Sequence, residues 1–449
     1  MGRLVALETR LLFRERLAWI VLAVAALACV MAVVQGGALL GAQQQGREAF
    51  AAESRTAEEG LLKSIAEAEP AAAAVLPRRA TLPILAPLPP LADFSAGRVG
   101  FEDYATNARF GLREDGMFKR SRLDNPELLS RGGLDLGFVA VVVLPLLLIA
   151  LGYGIFAADR DSGISRLLLV QQPSPTRLLL ARSVPRLAVV LVPLLLSALV
   201  LLFAGPSLPG RGAAIGWWLG LTVLLVLFWW AVILLVNSLR VSAESAALSL
   251  VALWILFTLV MPAAIGAIAQ ATNPPPSRFE QIAASRAAEL RANSEFENDH
   301  PELTDEAAER ARTARRAVQI DRDVETALRP LNSRFEEQRL AQQRTVDALS
   351  FLSPAAVTAS GQAMVAGTDS ATWLEFRQAA RGYLTLIKSR LAQLILAGQP
   401  LTADGYRGLP RFDWRPEPQA PVGPALYLML LTLLVGGIAF RRFRKLDLG

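Results

Sequence analysis

Six apolar stretches divide this 449-residue chain, at residues 17–37, 136–157, 187–204, 216–239, 246–268 and 422–440. Each is close to the ~20 consecutive apolar residues that cross the hydrocarbon core of a bilayer. With the N-terminus in the cytoplasm, the cytoplasmic pieces are residues 1–16, 158–186, 240–245 and 441–449. They hold 14 Lys and Arg against 6 Asp and Glu, while the rest of the chain holds 32 against 34. The net charge of +6 thus divides into about +8 inside and −2 outside, the bias that sets orientation in a membrane. An inverted topology reverses that bias. Both termini are therefore expected in the cytoplasm, with residues 38–135 and 269–421 outside.

This pattern yields an all-α membrane protein of six transmembrane helices with two mainly helical extracytoplasmic insertions. Residues 1–16 form an interfacial helix, 17–37 the first span, 136–157 the second, 187–268 the third to fifth and 422–440 the sixth. Residues 158–186 form a cytoplasmic loop and 441–449 a cytoplasmic tail. Leu4, Leu7, Leu11 and Leu12 share one face of the first helix and Arg3, Arg10 and Arg14 populate another, so it is expected to lie on membrane lipid. The isoelectric point of 9.9 invites a nucleic-acid partner, but the charge is topological. Residues 38–134 carry 12 basic to 13 acidic residues and residues 271–421 carry 19 to 20, leaving no phosphate-binding face. Only 4 of the 46 basic residues are Lys, and Ala abounds, the usage of a GC-rich bacterial genome; the expected location is a bacterial inner membrane.

In the first insertion, residues 43–69 favour a helix, and Pro77, Pro83, Pro87, Pro89 and Pro90 then demand an extended path. In the second, the Ala, Glu and Arg content predicts helices over 278–297, 305–328 and 331–349, the last two separated by Pro330, and a further helix over 372–396. Pro145, Pro193 and Pro262 interrupt the second, third and fifth spans and permit kinks.

Missing chemistry is equally informative. The chain has one histidine, His300, which disfavours a histidine-based triad or a multi-histidine metal site. No Gly-Lys pair occurs, so the phosphate loop Gly-x-x-x-x-Gly-Lys-Ser/Thr is absent. The central turns of the spans hold no Asp, Glu, Lys or Arg, whereas ion-coupled carriers need a buried ionisable group. The single Cys29 lies in the first span and excludes an intramolecular disulfide. The reading is a non-enzyme with no cofactor and no metal, whose energy source lies in another chain.

The loop after the second span is the segment most suited to receive that energy. Asp159, Arg160 and Asp161 open it, Gly163 follows, and Ile164, Leu167 and Leu168 form an apolar face at helical spacing before Pro173 and Pro175. An apolar helix face beside a membrane seeks lipid or a protein groove.

This run of acidic-x-acidic, Gly, Leu-Leu and Pro-Ser resembles the permease subunits of type-2 ABC exporters. Leu352-Ser353-Pro354-Ala355, Ala366-Gly367-Thr368-Asp369 and Phe376 are similar to a subgroup with large extracytoplasmic insertions after the first and fifth spans. The family usually has Gly-Thr in the loop, where this chain has Gly163-Ile164. The resemblance implies that Asp159, Arg160, Asp161, Gly163, Ile164, Leu167 and Leu168 couple the protein to an ABC ATPase subunit. It also implies a second permease subunit, identical or paralogous, and external helices that cap the path or recruit a periplasmic partner. A mechanotransmitter, which moves its external domains without moving substrate, stays open as the alternative.

Overall fold

A computed structural model describes residues 2–68, 75–97, 99, 103–118, 133–155, 175–239, 241–274, 277–301, 305–417 and 419–444. The chain is an all-α membrane protein, with one small hairpin among the described residues. Helix α1 (Gly2–Leu12) buries Glu8 and Leu12 and exposes Leu7 and Leu11. Helix α2 (Arg16–Glu67) runs 52 residues without a break, about 78 Å at 1.5 Å per residue. The first span and the polar helix after it are therefore one element. No proline stands between its ends, and its polar half is rich in strong helix formers.

Five helices among the described residues are long and apolar enough to cross a membrane: α2, then α5 (Pro175–Ala204), α6 (Arg211–Asn237), α7 (Ala243–Thr272) and α13 (Val422–Arg444). The second apolar stretch forms a shorter helix, α4 (Leu136–Gly152). Helix α6 is the hub of this body. Trp218, Leu221, Leu225, Trp229 and Ile233 are buried on it, and α4, α5, α7 and α13 all pack against it.

Two of the three span prolines explain local helix geometry. A π turn at Val139–Val143 precedes Leu144-Pro145, and another at Leu256–Val260 precedes Met261-Pro262. Proline lacks an N–H and its ring crowds the carbonyl four residues back, and a wider turn relieves that clash. Side chains take up carbonyls inside both turns: Trp254 Nε1 donates to Val142 O at 3.2 Å and Ser353 Oγ to Phe257 O at 2.5 Å. Pro193 instead sits, with Pro185, inside α5, which has no π turn.

Outside this body the two insertions build one shared core. Helix α3 (Leu76–Arg79) leads into β1 (Thr81–Leu85), which pairs antiparallel with β2 (Ala105–Arg109) in the register Thr81↔Arg109. Leu82 and Ile84 alternate inward and are fully buried. Against them pack Phe376, Tyr383, Leu384, Ile387 and Leu391 of α11 (Ser370–Ala397) and Tyr406 of α12 (Ala403–Arg407). Tyr406 Oη donates to Thr81 O at 2.8 Å.

The remaining helices, α8 (Arg278–Asp299) and α9 (Glu306–Ser350), form a hairpin around Ala292, Val324 and Leu328. Pro330 lies inside α9 rather than separating two helices. The residues around it are held on both sides: Lys388 meets Asp321 at 2.7 Å and Glu325 at 2.8 Å, and Asn332 donates to Glu114 at 3.2 Å.

Candidate functional site

Asp159, Arg160, Asp161, Gly163, Ile164, Leu167 and Leu168 lie outside the described residues. The two ends from which their loop hangs are described, and they are firmly tied. A helix leaves its last carbonyls without intrahelical donors, and arginine near a helix C-terminus satisfies both their hydrogen bonds and their dipole. One arginine of α5 does this for α4, and a second holds the turn that follows it. Arg186 Nε donates to Leu151 O at 3.0 Å, and Arg182 Nη1 to Ile155 O at 2.7 Å. Asn237 Nδ2, at the end of α6, donates to Gly152 O at 3.3 Å.

Arg182 extends the network to the first helix. Its Nε reaches Glu8 Oε1 at 3.3 Å, with both side chains about 10% exposed. Next to it, Trp230 Nε1 donates to Ser183 Oγ at 2.9 Å. A displacement of the loop would thus pass to α1, α5 and α6 together. Sequence reasoning assigned Glu8, Arg182 and Arg186 only to topology. The four-residue spacing of the two arginines at the start of an apolar helix is the signal that could have found them.

The opposite end of the body holds a second constellation, which the sequence reading did not anticipate. Helix α10 (Pro354–Ala366) lies within the predicted external segment yet packs among the apolar helices. Pro354, Ala355, Val357, Thr358, Gly361 and Gln362 are buried. Gln362 Nε2 donates to Thr222 Oγ1 of α6 at 2.9 Å. Gly361 packs so closely that a Cβ there would stand 2.9 Å from Leu221 and 3.2 Å from Pro424.

Residues 91–96 of the first insertion descend beside it. Leu91, Asp93 and Phe94 are fully buried. Arg211, 4% exposed, grips Asp93 with two bonds, Nη2 to Oδ2 at 2.6 Å and Nη1 to Oδ1 at 3.1 Å, and also donates to Leu201 O and Pro90 O. Trp218 Nε1 donates to Ser95 Oγ at 2.9 Å, and its ring meets Phe94 edge-on. Gly36 is required in α2, because a side chain there would collide with the Asp93 carbonyl. The two pieces also meet each other. Leu91 N donates to Ala366 O at 3.4 Å, and Gly97 (φ +48°) leaves room for Thr368 that a Cβ would fill. Together they close that end of the helix bundle around α6.

His300 stacks on Phe296 with ring centroids 4.4 Å apart. Among the described residues no three His, Cys, Asp or Glu side chains group to hold a metal ion.

The family described as ABC-2 family transporter protein matches this chain over residues 3–448. No curated protein matches it, and no solved structure matches it.

Proposed function

The chain belongs to the ABC-2 family of transporter proteins, the membrane permease subunits of ABC transporters, and from that premise we propose that it is the permease subunit of a bacterial exporter driven by a separate ATPase chain. The ATPase docks on the part of the 158–186 segment that precedes α5, at the cytoplasmic face of the inner membrane. Ile164, Leu167 and Leu168 fill a groove of the ATPase, Asp159, Arg160 and Asp161 flank the contact, and Gly163 turns the chain between them. A second permease subunit, identical or paralogous, faces the first. ATP-driven closure of the two ATPases displaces the loops and switches the spans between two arrangements.

The observation that supports this reading best is the clamp at the root of the loop. Arg182, Arg186 and Asn237 bind the carbonyls of residues 151, 152 and 155, and Glu8 ties the same network to α1. That anchorage ties the root of the loop to α1, α5 and α6 at once, so a push on the loop reaches all three. The test is Leu167→Asp, which buries a charge against apolar partners at the docking surface and costs several kcal/mol there. The variant inserts into the membrane normally and loses its ATPase on purification. Undiminished copurification would overturn the assignment.

A second reading, mechanotransmission without translocation, draws on the shared external core and on the closure built by α10 and residues 91–96. Substrate uptake into inverted vesicles containing both subunits separates the two: ATP-dependent accumulation supports the exporter, and ATP hydrolysis without accumulation supports the mechanotransmitter.

A further inference from the structure

Where the two insertions meet, a crevice of about 60 Å³ opens between α2, the residues flanking the hairpin and the start of α11; Arg47, Tyr104, Trp373, Phe376, Trp414 and Pro89 are among its walls. Three aromatic rings of this wall belong to one contact cluster, with Phe376 5.0 Å from Trp373 and 5.4 Å from Trp414. At that volume the crevice takes in only part of a ligand, and its aromatic walls offer a surface for a flat or aliphatic body to pack against.

The polar groups around the crevice are unequally served. Arg47 Nε donates to Ala86 O at 3.3 Å, its Nη1 donates to Gln43 Oε1 at 2.6 Å and to Gln43 O at 3.2 Å, and the guanidinium lies 4.3 Å over the Tyr104 ring. All of these partners are neutral. Among the described residues no carboxylate pairs with Arg47 and its Nη2 has no acceptor. Asp369, the one carboxylate in the crevice wall, is occupied by the start of α11: its Oδ1 accepts from Thr372 Oγ1 at 2.6 Å and its Oδ2 from the amides of Ala371 at 3.0 Å and Thr372 at 3.3 Å. Burial pulls the Arg47 pKa down to about 10, against a smaller opposite push from Tyr104. A cation held in partial burial without a counter-charge is a site that an anion stabilises.

We infer that this crevice binds a small organic anion with an aromatic or aliphatic body, its carboxylate on Arg47. A neutral ligand leaves the charge of Arg47 unanswered, which costs it affinity. A cationic ligand meets the charge of Arg47 directly. The site owes nothing to the coupling loop, so its failure would leave the transporter reading standing.

The probes are benzoate, benzamide and benzylamine, titrated calorimetrically into the full chain in phosphatidylcholine nanodiscs. Benzoate binds saturably, at least tenfold more tightly than benzamide, and benzylamine does not bind. Arg47→Gln abolishes the preference for benzoate over benzamide, while Arg47→Lys, which keeps the charge, preserves most of it. Trp414→Ala weakens both ligands alike. Because Arg47 also holds the Ala86 carbonyl, the unfolding midpoints of Arg47→Gln and Arg47→Lys are compared: matched midpoints with an unmatched benzoate preference assign the loss to charge. No saturable benzoate binding, equal affinity for benzoate and benzamide, an unchanged preference in Arg47→Gln, or a preference lost equally in Arg47→Lys would overturn the proposal.

Discussion

At the residue scale, the pair Asp93–Arg211 shows what a buried charge demands. Each side chain is at most 4% exposed, and the desolvation of both ions is offset only by their mutual geometry and by the carbonyls of Pro90 and Leu201. Removing one partner leaves the other charge stranded. Arg211→Met should therefore cost about 3–5 kcal/mol, read as a lowered unfolding midpoint in mild detergent, whereas Asp93→Leu combined with Arg211→Met should recover most of that loss. An equal loss in the double variant would show that the pair does not act as a unit. The sequence could not disclose this partnership. The two residues stand 118 positions apart, and each looks like an ordinary charge at the edge of an apolar run. What joins them is the close approach that Gly36 permits, a tertiary fact with no local pattern.

At the scale of elements, legibility followed composition. The long apolar runs and the Ala, Glu and Arg-rich helices were readable because burial in lipid and helix propensity each leave a direct compositional trace. Helix α10 left none. Its 13 residues, PAAVTASGQAMVA, are too few to span and too small and mixed to show an apolar face. Its packing depends on the holes offered by α6 and α13. The merging of two predicted helices across Pro330 has a different cause, since the proline penalty was real but tertiary contacts outweighed it. That makes a prediction. Replacing Pro330 by Ala restores a hydrogen bond to the Thr326 carbonyl and removes a penalty of up to about 3 kcal/mol. Amide exchange across residues 306–350 should slow in Pro330→Ala. Faster exchange would mean that the proline serves α9 rather than straining it.

At the scale of the whole molecule, the charge bias makes a prediction about sidedness. In a Cys29→Ala background, Thr56→Cys on α2 and Ser333→Cys on α9 present exposed thiols. Both should react with an impermeant maleimide in intact cells with a permeabilised outer barrier, and a cysteine at position 165 should not. Protection at position 56 or 333 would reverse the orientation. The candidate coupling residues were legible as a motif in the loop, while the arginines, the asparagine and the glutamate that mount the loop became visible only once α1, α4, α5 and α6 were assembled.

Helix α2 joins these levels mechanically. Three residues separate it from the end of α1, whose Glu8 belongs to the loop mount, and its far end carries Leu61 into the core beneath the hairpin. About 30 of its residues stand beyond the first apolar run, a reach of roughly 45 Å. Tilting this rod by about 5° at the bilayer would sweep its tip by roughly 4 Å. On the proposed topology such a lever arm would need no hinge or diffusing messenger between the two faces of the membrane, and it would gear a small inner displacement into a larger outer one.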